Sequence, residues 1–72
     1  MLPARQLQSD FAQLFFEVAN VQTRLRQMLE RGELPDGLGL PDKVQNMIIH
    51  NDRNLAEIND AIGTLNTVVS DE

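Results

Sequence analysis

"GELPDGLGLP", residues 32–41, decides how this 72-residue chain is built: ten positions hold three glycines and two prolines. Such density punctuates a chain, with Pro35-Asp36-Gly37 suited to a tight turn. On either side the sequence runs almost without helix breakers. Pro3 opens the first run, since a proline in a first helical turn loses no hydrogen bond. Gly32 closes it as a C-terminal stop. Pro41 followed by Asp42 opens the second run, the acid favoured by the helix dipole. The reading is all-α: helix 3–31, loop 32–40 and helix 41–69, one hairpin over 1–72, each helix roughly 40 Å long at 1.5 Å per residue.

Apolar spacing supports it. Leu7, Phe11, Leu14, Val18, Val21, Leu25 and Met28 step alternately by four and three, a heptad seam with Phe11, Val18 and Leu25 at a and the others at d. Val44, Ile48, Asn51, Leu55, Ile58, Ile62, Leu65 and Val69 keep the same rhythm, with Asn51 the polar member. Phe15 and Leu29 widen the first face at e; Met47, Ala61 and Val68 widen the second at g. Faces this broad suit more than two helices. The expected architecture is therefore an antiparallel hairpin that dimerises into a four-helix bundle. With equal arms, residue i should lie near residue 72 − i of the other helix, bringing Phe11 to Ala61 and Ile62 with Gly63 close by.

Composition narrows what such a hairpin does. A chain this short sits near the lower limit for a self-sufficient core, and it has no cysteine to staple one. Extra buried surface is expected from association, with itself or with another protein. The net charge of −5 and scattered basic residues argue against direct nucleic-acid or anionic-lipid binding. No run is long and apolar enough for a membrane span or signal peptide, so the expected location is cytoplasmic.

Catalysis finds no foothold: there is no Ser-His-acid set, no thiol and no phosphate-cradling glycine loop. His50, the single histidine, points outward and lacks the Glu-x-x-His partner spacing of a bundle metal site. No metal, cofactor or catalytic residue is expected.

What remains are surfaces. Phe16 is left over once a two-helix seam is satisfied; Ala12, Phe15 and Ala19 flank it in an apolar ridge that Leu2 could extend, with Arg24, Arg26 and Asp52 as a polar rim. Leu34, Leu38 and Leu40 in the loop either cap the bundle end or meet a partner. Asn51 is a candidate for fixing register or oligomer state. The expected function is a small, acidic, non-catalytic protein-binding module: an adaptor, assembly factor or small chaperone-like protein holding an amphipathic helix. Alternatives are a regulator linked to nucleic acid, antitoxin-like or DNA-mimicking, and a structural coiled-coil element of a larger assembly.

Overall fold

Pro3 adopts an extended conformation and caps the first helix from outside, so α1 runs from Ala4 to Glu30. The computed structural model describes residues 3–70, and the suggested extension of the apolar ridge to Leu2 lies outside them. At its far end, the Gly32 N–H donates to the Leu29 carbonyl and the Glu33 N–H to the Met28 carbonyl. With Gly32 at φ +63°, this is a Schellman stop, a left-handed geometry that suits glycine. The second helix, α2, spans Leu40–Ser70. Its start differs from expectation by one residue, because the Lys43 N–H bonds to the Gly39 carbonyl and so draws Leu40 into the first turn. Pro41 is tolerated there because first-turn N–H groups have no intrahelical acceptor.

The two helices pack along their length as an antiparallel hairpin 55 Å long and 19 by 14 Å across, with no strand among the described residues. Gln8 reaches Ile62 and Asn66, and Gln22 reaches Ile48 and Asp52. Each glutamine thus sits midway between partners centred on 72 − i, the register that equal arms require.

On α2 the inward positions are those of the expected seam, from Val44 to Val69. On α1 the face is turned in the middle of the helix, while Leu7 and Met28 at its ends stay half-buried. Leu14 and Val21, expected at d, are 45% and 50% exposed. The neighbouring e positions go inward instead: Phe15 and Leu29 are half-buried, and Gln22 is only 4% exposed. Rotation from an a/d towards an a/e stripe buries the larger aromatic and brings two glutamine amides against α2. Gln22 Nε2 then donates to the Ile48 carbonyl at 2.8 Å and to Asp52 Oδ1 at 2.7 Å. The rotation has a cost, since Gln22 Oε1 is buried without a partner. A buried orphan acceptor of this kind costs about 1–3 kcal/mol.

The hairpin closes little core. Among the described residues only Ala4, Leu25 and Val44 are buried apolar side chains. The accessible surface is 5473 Å². A compact monomer of the same 8.1 kDa mass would show about 4,500 Å². Gly63 does not make room for Phe11, because a Cβ added there would meet nothing within 4 Å.

Candidate functional site

The heptad positions divide the hairpin into two flanks of different character. In an antiparallel pair the e positions of both helices share one side and the g positions the other. The e side carries a ladder. Gln8, Phe15 and Gln22 on α1, seven residues apart, oppose Asn66, Asn59 and Asp52 on α2 with the same spacing. The outer rungs are alike: each glutamine donates to an a-position isoleucine carbonyl and to the side chain four residues further on. The Asp52 carboxylate also accepts both oxygens' worth of bonds from Arg26, at 3.1 and 3.2 Å. Both side chains of that pair are half exposed, so it contributes at most about 1 kcal/mol.

The middle rung is different. Phe15 occupies the place of a glutamine and cannot donate to Asn59. A recess of about 160 Å³ opens here, lined by Ala12, Phe15, Phe16, Asn59 and Ile62. Phe16, 67% exposed, stands at its rim with its ring edge-on to Phe15, centroids 6.2 Å apart. Such T-shaped contacts hold both rings in place. The recess has room for one aliphatic or aromatic side chain, and its lining offers the Asn59 amide as the only polar side chain. To either side of the rung the outer b positions are small. Ala12 and Ala19 belong to α1, and Ala56 and Gly63 to α2. The heptad pattern thus flanks the recess with small residues on both helices.

Three of the four ridge residues read from sequence, Ala12, Phe15 and Phe16, therefore line one recess, and Ala19 continues its wall. The expected polar rim is not assembled. Arg26 and Asp52 are joined across the hairpin, but Arg24 is a g residue on the opposite side. The three loop leucines also part company. Leu34 is half-buried, Leu38 is exposed at the loop, and Leu40 is half-buried in the first turn of α2. Asn51 is half-buried on the inner face, and its side chain makes no hydrogen bond to the described residues of the chain.

The g side carries a second apolar strip. Leu14 and Val21 of α1 lie there, with Met47 and Val68 of α2 about half exposed. Sequence reading missed the glutamines: they count as polar in any apolar pattern. Their heptad spacing against Asp52, Asn59 and Asn66 was the available signal, and it becomes visible only once the hairpin register is set. Two of the five asparagines of α2 are thereby accounted for; nothing in the structure explains Asn46 and Asn54.

Among the described residues no group of acids and histidine is gathered as metal ligands, and no helix is long and apolar enough to cross a membrane. No family model, curated protein or solved structure matches the chain.

Proposed function

We propose that the chain is a small, acidic, non-catalytic protein-binding module, of the adaptor, assembly-factor or small-chaperone kind. Its groove on the e side takes the apolar face of a partner's amphipathic helix. The observation that carries this is Gly63. A glycine inside a helix costs about 1 kcal/mol relative to alanine. Within the hairpin nothing requires it, since an added Cβ would meet nothing within 4 Å and the backbone is not in a left-handed conformation. Its place on α2, next in sequence to Ile62 of the recess and four residues beyond Asn59, gives it a use: helix axes approach more closely where the contact residues are small.

The recess would then receive a large apolar side chain of the guest, with Phe16 packing over it. The host's charge of −5 favours a guest with a basic polar face. The groove-in-hairpin mode is the usual way an amphipathic helix is read, through anchors at i, i+3 or i+4, and i+7.

Three outcomes test the reading. An 18-residue leucine–lysine amphipathic peptide should shift the NMR resonances of Ala12, Ala19, Ala56 and Gly63. Gly63→Ala should raise the hairpin's stability by up to about 1 kcal/mol while weakening that peptide about tenfold. Unchanged peptide affinity in Gly63→Ala would sink the groove reading. Phe16→Ser should likewise weaken the peptide without loss of helix content by circular dichroism, because the ring is mostly in solvent.

A further inference from the structure

We propose that the opposite flank, the g side, is covered by a second copy of this chain, with α1 packed antiparallel on α1 of the copy about a twofold axis at the level of Val21. The proposal rests on the reading above only in that the hairpin completes itself by association; it concerns a different face.

Area comes first. The chain exposes about 1,000 Å² more than a compact monomer of its mass. A stable interface buries about 800 Å² per partner. Part of that surplus is the exposed apolar strip of Leu14, Val21 and Met47.

Charge then chooses the arrangement. Along the g positions that border Leu14 and Val21, the N-terminal half of α1 is acidic, with Asp10 and Glu17, while Arg24 in its C-terminal half and Arg31 just past its end are basic. Parallel packing on a copy would set like against like at every level. Antiparallel packing about Val21 sets Glu17 opposite Arg24 of the copy, and Asp10 opposite Arg31. All four are exposed; Arg31 has an ion pair with Glu33 at 3.5 Å, while neither Glu17 nor Arg24 has one among the described residues of the chain.

A third observation comes from α2. In the hairpin register, residue 51 lies level with Val21, so the same axis sets Asn51 against its own symmetry mate. Asn51 is the one polar member of the α2 seam, and its side chain makes no hydrogen bond to the described residues of its own chain. An asparagine amide, with donors and an acceptor, is self-complementary across a twofold. The axis placed by charges on α1 and the axis placed by an amide on α2 coincide.

Sedimentation equilibrium tests this with the full chain. The wild type should have twice the 8.1 kDa chain mass. E17R and R24E should each dissociate about tenfold or more readily, since each places like charges face to face. An equimolar mixture of E17R and R24E should recover dimers close to wild-type strength, because every reversed charge then meets an opposite one. An unfolded variant could not be rescued in this way. A monomeric wild type at millimolar concentration overturns the proposal. So does a dimer that tolerates E17R, or one whose two single variants do not rescue each other. The groove reading fails separately: it is lost if the leucine–lysine peptide leaves Ala12 and Gly63 unshifted while the dimer persists.

Discussion

Gln22→Glu is expected to unfold the hairpin at pH 7. The amide at this position is 4% exposed and donates through one nitrogen to two acceptors, the Ile48 carbonyl at 2.8 Å and Asp52 Oδ1 at 2.7 Å. An ionised carboxylate has nothing to donate, so both contacts become repulsive at hydrogen-bond distance. Arg26, half exposed and already engaged by Asp52, offsets only part of this. An unpaired charge left in such a place costs about 3–5 kcal/mol. A single small core rarely supplies more than about 3–5 kcal/mol in total. The sign with pH follows from the neutral form being the one that the folded state accepts. Burial and Asp52 raise the introduced carboxyl above its ordinary value of about 4.3. The destabilisation is therefore absent below that value and grows as pH rises above it. Helix content by circular dichroism should be near wild type at pH 4 and largely lost at pH 7. Gln22→Met is the companion: similar in size, it removes the donor and the orphan Oε1 together, and should be close to neutral. A Gln22→Glu chain as stable as wild type at pH 7 would show that this side chain is not held against α2.

The same residue shows where sequence reading reaches and where it stops. Helix limits were legible because proline and glycine act locally, through a missing N–H and a positive φ. Gly32 is the clearest case. The register was legible because two arms of similar length joined by a short loop leave one way to align. The rotation of α1 was not. Apolar spacing weights Leu14 and Phe15 alike and counts Gln22 against burial. Rotation is settled by what faces each residue, and the acceptors Ile48 and Asp52 lie 26 and 30 residues away. The ridge around Phe16 was visible as a surplus, yet the recess beneath it exists only because Asn59 meets a ring where the other rungs meet an amide.

That rotation makes the second large prediction. Leu25→Ala should cost about 3 kcal/mol, in the range for a leucine truncated inside a core. Leu25 is one of only three buried apolar side chains among the described residues, and no other layer of core can collapse to fill the space. Leu14→Ala, at a d position of the same expected seam, should cost about 1 kcal/mol or less, because nearly half of that side chain is already in water. Urea melts at low micromolar concentration keep self-association out of the comparison. A stabilising osmolyte such as trimethylamine N-oxide, added in steps, brings the Leu25→Ala chain into a measurable range. An a/d seam predicts comparable losses at both positions; the a/e seam predicts the large one at Leu25 alone. At millimolar concentration Leu14→Ala should turn costly as well, since the methyl groups it removes would then be missing from the contact between copies. A Leu14→Ala penalty that does not vary with concentration would leave the hairpin intact and take away the apolar part of the case for its twofold partner.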